Sequence, residues 1–191
     1  AAAIGAGLDV EKPEGSMIVD IGGGTCDVAV ISLGGIAASR SIKVGGDAFD
    51  EAIVNHMKRA HNLLIGKNTA EDIKLKIGSA EEYDGEGAMD VKGRNLTDGL
   101  PKSVEITSSE IREVLSEPIS KIIASIRETL EVTLPELAAD IIDRGIYVAG
   151  GSSQLRGLPE LIAKETKIQV HIPERPLDCV ALGTSAKLRR A

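Results

Sequence analysis

The sequence predicts an α/β fold, and three observations carry that prediction. Met17 to Ile31 is an apolar run that reaches Asp20-Ile21, crosses Gly22-Gly23-Gly24-Thr25 and resumes at Val28, the pattern of strand, glycine turn and strand. Ile111, Leu115, Ile119, Ile122, Ile123, Ile126 and Leu130 recur at helical spacing and mark a long amphipathic helix. From Pro135 onward helical and strand patterns alternate at short intervals, with a second glycine turn, Gly150-Gly151, directly after a strand.

Each element has its own signal. Ala1 to Ala6 reads as the tail of a helix stopped by Gly5 and Gly7. Strands are expected over about 17–21, 28–33 and 36–44, the last two joined by a Gly34-Gly35 turn. Gly45-Gly46 and Asp47 announce a helix whose apolar face is Phe49, Ile53, Val54 and Met57, running to about Asn62. Thr69 is expected to cap the next helix, which carries Glu71, Lys74 and Ile77. Residues 79–101 are rich in Gly, Asp and Glu and read as a small strand-and-loop insertion, with alternation at 88–91 and a further strand at 103–106. Thr107-Ser108-Ser109-Glu110 is a capping box that opens the long helix, and Pro118 is expected to kink or break it. The second α/β unit follows as helix 137–142, strand 145–149, helix 158–165, strand 168–172 and helix 179–189, with Pro173 and Pro176 punctuating the last loop.

Composition narrows the function. One Phe, two Tyr and no Trp leave a core of Ile, Val, Leu and Ala, and leave few stacking platforms for single-stranded nucleic acid. A net charge of −7 over 191 residues argues against a nucleic-acid partner altogether. It does not exclude a nucleotide, because backbone amides and a metal ion neutralise phosphates locally. Cys26 and Cys179 lie too far apart for a zinc motif or a disulfide framework and fit a reducing, cytosolic compartment. No signal-peptide pattern and no apolar run of membrane-spanning length occurs. The start at Ala1-Ala2-Ala3, without Met, reads as the middle of a longer protein.

The glycine turns are the candidate sites. Successive backbone N–H groups at Gly22, Gly23 and Gly24 can form an anion-binding nest with no side chain in the way, and Asp20 at the strand end is placed to hold water around a magnesium ion. The alternative is a plain hairpin. A dinucleotide fingerprint is excluded, because that motif opens a helix whereas β-branched residues follow Gly24. Gly150, Gly151 and Ser152 stand where open α/β sheets bind ligands, or form a structural turn. Glu71 and Lys74 share a helix face and read either as ribose and base contacts or as a solvated ion pair. Thr25 reads as a water-orienting hydroxyl or as the partner of a turn amide, and Asp47 and Asp50 as carboxylates at a helix start. Cys26, beside the glycine turn, reads either as a reactive thiol or, better, as a small side chain between strands. His56, His61 and His171 make no metal pattern, and His56 and His61 are expected on different helix faces.

Asp20-Ile-Gly-Gly-Gly-Thr-Cys-Asp27 resembles the second phosphate motif of the actin, Hsp70 and sugar-kinase superfamily, and Val148-Ala-Gly-Gly-Ser152 resembles its adenosine motif. Within it the chain is similar to the bacterial actins of the MreB family. Further likeness lies in Ala1 to Leu8, Ser39 to Val44, Asn62 to Gly66, Thr69 to Lys74, Pro135 to Asp140 and Pro176 to Gly183, so it covers nearly the whole chain. The resemblance implies a ribonuclease-H-like, actin-type ATPase lobe. This is a mixed sheet flanked by helices, built from residues 1–45 and 107–191, with a smaller α+β subdomain, 46–106, inserted.

It also implies ATP and Mg2+ bound between two lobes, assembly into protofilaments beneath the cytoplasmic membrane, and guidance of cell-wall synthesis in rod-shaped bacteria. Implied partners are further copies of the chain, a membrane-anchored adaptor of the RodZ kind and the wall-elongation machinery. This lobe itself would not insert into the membrane. Asp20 would act on the magnesium waters, Gly22, Gly23 and Gly24 would hold β- and γ-phosphate oxygens, and Thr25 would orient the attacking water. Glu71, Lys74, Gly150, Gly151 and Ser152 would meet ribose and base.

The family's first phosphate loop, its membrane-inserting elements and its water-activating Glu would precede Ala1, so hydrolysis by this chain alone is expected to be negligible. Cys26 replaces the usual Thr, and Ser152-Ser153-Gln154 a more apolar stretch. The alternatives are a non-catalytic polymerisation or adaptor-binding module, and a fragment of an Hsp70-like or sugar-kinase ATPase.

Overall fold

The computed structural model describes residues 1–188. In chain order the elements are α1 (Ala2–Gly5), β1 (Ser16–Ile21), β2 (Cys26–Ser32), β3 (Gly35–Ile42), α2 (Gly46–His61), β4 (Leu63–Leu64) and α3 (Lys67–Ile77). There follow β5 (Ala88–Asn95), β6 (Pro101–Thr107), α4 (Ser108–Glu131), α5 (Pro135–Arg144), β7 (Ile146–Ala149), α6 (Leu158–Thr166), β8 (Val170–His171) and α7 (Cys179–Leu188). They form two compact units. One comprises Ala1–Gly46, Lys121–Gln154 and the residues from Pro159 onward; the other comprises Asp47–Ser120 and Leu155–Leu158.

The first unit is built on a mixed five-stranded sheet in the order β3-β2-β1-β7-β8. β1 is central and almost wholly buried, which is why it reads as a continuous apolar run rather than an alternating one. Hairpins make β1, β2 and β3 antiparallel, while β7 and β8 join in parallel through helical crossovers. β3 is an edge strand and mostly exposed, which suits its Ser- and Arg-containing sequence. Over one part of the sheet Ala3 and Cys179 cluster with Leu8, Ile18 and Ala149, bringing α1 and α7 onto the strands. The Gly15 N–H donates to Asp140 in the middle of α5 at 2.7 Å, and Arg144 at its C-terminal end pairs with Glu14, so the approach to β1 is tied to that helix at two points.

The second unit carries the antiparallel sheet β4-β5-β6. Phe49, Ile53 and Met57 of α2, Ile73 and Ile77 of α3, Val91 of β5 and Ile106 of β6 are buried, as are Ile111 and Leu115 on α4. Burying a side chain of this size contributes about 1.5–3 kcal/mol, so the helical stripe outweighs the mediocre propensity of Asn, His and Asp in these helices.

Several local expectations need correction. Thr69 does not cap α3. The helix starts at Lys67, Gly66 is the N-cap in an extended conformation, and the first ladder bond runs from the Ala70 N–H to the Gly66 carbonyl at 3.1 Å. Pro118 does not break α4, a helix of 24 residues that runs through it. A proline inside a helix costs about 3 kcal/mol, but Leu115 and Ile119 on either side are buried and hold the helix together. β8 is only two residues long because it pairs only with Ile146 and Tyr147 at the sheet edge. β4, also two residues, carried no alternation to announce it. Of the predicted last helix, Arg189 lies outside the described residues.

Candidate functional site

In the first unit the two glycine turns are bonded to each other. The Gly22 N–H closes the β1–β2 hairpin on the Thr25 carbonyl at 2.9 Å. The Gly22 carbonyl accepts from the Gly46 N–H at 3.0 Å and from the Ser152 hydroxyl at 2.9 Å. Gly22 is therefore a structural joint, and its amide is engaged. Gly23, Gly24 and Thr25 are exposed, and among the described residues none of their N–H groups donates to a backbone carbonyl. Three consecutive amides facing solvent at the end of a buried strand suit an anion. The Thr25 hydroxyl donates to Asp27 Oδ2 at 3.1 Å rather than serving a turn amide.

Asp20 and Asp27 stand directly opposite each other across the β1–β2 pair, so their side chains share one face. Burial pushes the Asp20 carboxyl above the usual range, and the Asp27 charge pushes it further. Two like charges at a partly buried position are relieved by a cation. Oxygen-only donors beside open amides are the chemistry that Mg2+ with its retained waters takes.

The second turn leaves β7, whose Ala149 pairs in parallel with Asp20. Gly150 has φ +87°, and a Cβ there would lie 2.3 Å from the Ile21 carbonyl oxygen and 2.6 Å from Asp20 Oδ1. Its N–H donates to the Pro176 carbonyl at 2.8 Å, and its carbonyl accepts from Ser153 Oγ at 2.7 Å. Gly45 makes a similarly close approach from the other side: a Cβ would lie 2.4 Å from the Gly22 oxygen and 2.7 Å from that of Gly23. No larger residue lets three chain segments close around the hairpin in this way.

Cys26 is buried beneath the hairpin. Its thiol is pushed up to about 12, by burial first and then by Asp27 and Asp20, so it is no nucleophile at neutral pH. Burial and the Asp20 charge also raise Cys179. Glu71 and Lys74 lie on α3 in the second unit. Glu71 is exposed, and Lys74 pairs with Asp50 at 2.7 Å rather than with Glu71, both side chains being largely buried. Asp47 takes Lys67 at 2.5 Å.

Two features escaped the sequence reading. Asp27 is a partner of Asp20, and the signal was available: a hairpin that closes on three glycines and Thr25 sets the residues flanking Ile21 and Cys26 face to face. The other is the convergence of His56 and His61 on Glu110. The expectation of different faces fails because His61 is the last residue of α2, and both rings reach the first turn of α4.

The family model of the MreB/Mbl protein matches residues 1–191. The chain is 48% identical over 187 residues to the cell shape-determining protein Mbl of Bacillus subtilis, covering 98% of this chain and 56% of that protein. It is 51% identical over 183 residues to the cell shape-determining protein MreB of Escherichia coli, covering 96% and 53%. Crystal structures of MreB5 of Spiroplasma citri bound to ADP and to AMPPNP superpose with a TM-score of 0.95 at 44% identity, covering 99% of this chain and 57% of theirs. A MamK double helical filament shares the fold at TM-score 0.78 and 22% identity, over 100% and 57%. The chain thus spans just over half the length of the curated relatives it matches. The Hsp70-like and sugar-kinase alternatives give way to these matches, and the chain, with its actin-like α/β fold, belongs to the MreB/Mbl protein family.

Proposed function

We propose that this chain is a nucleotide-binding lobe of an ATP-dependent, filament-forming bacterial actin that maintains cell shape. The observation that carries the reading is the Gly22–Thr25 hairpin: three exposed amides beside an opposed Asp20–Asp27 pair, clamped by Ser152 and Gly46. The MreB5 structures of a relative at 44% identity hold ADP and AMPPNP. Here Gly23, Gly24 and Thr25 would donate to β- and γ-phosphate oxygens, with Gly22 setting the hairpin's shape. Asp20, with Asp27 beside it, would hold Mg2+ through water. When bound, that ion neutralises charge on the phosphates. Thr25, its proton directed to Asp27, keeps its oxygen lone pairs for a water. Gly150, Gly151 and Ser152 would meet the nucleoside. Taken by itself, α3 of the second unit offers Glu71 as an acceptor for ribose hydroxyls and the aliphatic stem of Lys74 for the base, its ammonium being held by Asp50. The residues of 46–106 would form the smaller subdomain of the lobe.

In the intact protein we place these filaments under the inner membrane, with a membrane-anchored adaptor and the wall-elongation machinery as partners. Among the described residues no helix is long and apolar enough to cross a membrane.

Calorimetric titration of the 191-residue chain with Mg-ATP, beside Asp20→Asn, tests the site. The expected result is saturable binding that weakens by roughly tenfold or more in the variant, as for other groups that orient metal-bound water. Equal affinities would remove Asp20 from the metal's environment. No binding at millimolar nucleotide would favour the second reading, an assembly module. That reading has its own observation: Leu33 and Ile36, at the tip of the β2–β3 hairpin, are 70% and 69% exposed.

A further inference from the structure

The second unit holds a cluster that the nucleotide reading does not use. His56 Nε2 lies 2.6 Å from Glu110 Oε1, and His61 Nε2 meets the same oxygen. The two imidazole rings are 5.7 Å apart, edge to face, and each of the three side chains is about a quarter exposed. We propose that His56, His61 and Glu110 form a binding site for a divalent transition metal of the Zn2+ class.

Ligand type is the first argument. Two imidazoles and one carboxylate match the donor set of three-ligand zinc sites, whereas Mg2+ and Ca2+ prefer oxygen alone. Geometry is the second. The three ligand atoms lie within 4.8 Å of one another, with His56 Nε2 2.6 Å from Glu110 Oε1. That spread brackets the ~3.3 Å edge of a tetrahedron with bonds of about 2.0–2.1 Å. An ion seated between them would draw the wider pair in and push the closest pair apart. The partial exposure leaves a fourth position for water.

The capping box supplies the third argument. Its Glu ordinarily reaches back to the N-cap amide. Here only half of the box forms: the Glu110 N–H donates to Thr107 Oγ1 at 3.3 Å, while the Glu110 carboxylate is turned to the histidines. One opposing charge lies near: Lys102 donates to the His61 carbonyl at 3.0 Å, with its ammonium on the backbone and not on the ligand atoms.

A bound ion would staple the C-terminal end of α2 to the N-terminal end of α4, bridging elements otherwise far apart in sequence. This site is separate from the glycine turns, so it stands whether or not the nucleotide reading does.

The test is titration of the full chain with Zn2+ by calorimetry and with Co2+ by absorption spectroscopy, in excess Mg2+. The expected result is one ion per chain, visible Co2+ bands of a four-coordinate site, and a melting temperature that rises with Zn2+. Glu110→Gln should weaken affinity by tenfold or more, and His56→Gln with His61→Gln should abolish the bands. If that double variant fails to fold by circular dichroism, His61→Gln alone, at the helix end, replaces it. Absence of saturable binding in the native chain would overturn the proposal, as would the same stoichiometry and affinity in folded variants.

Discussion

Gly22 and Gly150 follow neighbouring strands of one sheet, β1 and β7, and are spelled alike, each heading a run of glycines. Their physics differs. Gly22 lies outside the left-handed region, and the only atom near a Cβ added there is the Thr25 carbonyl oxygen, at an ordinary 3.6 Å. Gly150 sits at φ +87° with the backbone of Ile21 filling the space a side chain would need. In the first turn the absence of side chains leaves amides accessible. In the second it lets β7 lie against the end of β1. A glycine run is thus two kinds of evidence, and only backbone geometry separates them.

The contrast can be broken most sharply with a single methyl group. Gly150→Ala should destabilise the chain by about 3 kcal/mol or more, since it combines a disfavoured backbone conformation with overpacking against a carbonyl. Urea denaturation measures it, and a loss below about 1 kcal/mol would mean that the turn relaxes freely.

Asp20, which both turns border, comes next. Its native carboxyl titrates above the ordinary 3.8, so it contributes stability below that value and loses it as pH rises through the raised one. Asp20→Asn removes this dependence. The variant should therefore gain stability relative to the native chain as pH climbs from about 4 toward neutrality. A stability difference that stays flat across that range would show that Asp20 is not electrostatically strained.

The smallest effect belongs to Gly22→Ala, expected within about 0.5 kcal/mol of the native chain because the new methyl meets nothing closely. A cost comparable to that of Gly150→Ala would erase the distinction between the turns.

The α/β class, the opening hairpins, the stripe of α4 and the order of the second half were all readable, because period-2 and period-3.6 burial patterns are written in the side chains themselves. Boundaries set by backbone bonding were less readable. Thr69 looked like a cap by residue type, yet Gly66 takes that place because its carbonyl receives the first ladder bond. Thr107 and Glu110 were legible as a capping box, but the carboxylate's second allegiance was not, since His56 and His61 are 54 and 49 residues away. Lys74 was legible as one turn from Glu71, and its true partner, Asp50, sits on another helix.

Taken by itself, then, the sequence determined the main strands and helices but not the short β4, which turns lack side chains, and that Asp20 stands at a strand end beside one of them. Local covalent and steric preferences suffice for that. Tertiary structure alone decided that Ser152 and Gly46 clamp the Gly22 carbonyl, that Asp27 faces Asp20, and that two histidines meet on one glutamate. Those facts depend on strand register and on how helices distant in sequence are brought together. Many residues fix these arrangements jointly, and no one of them records the result.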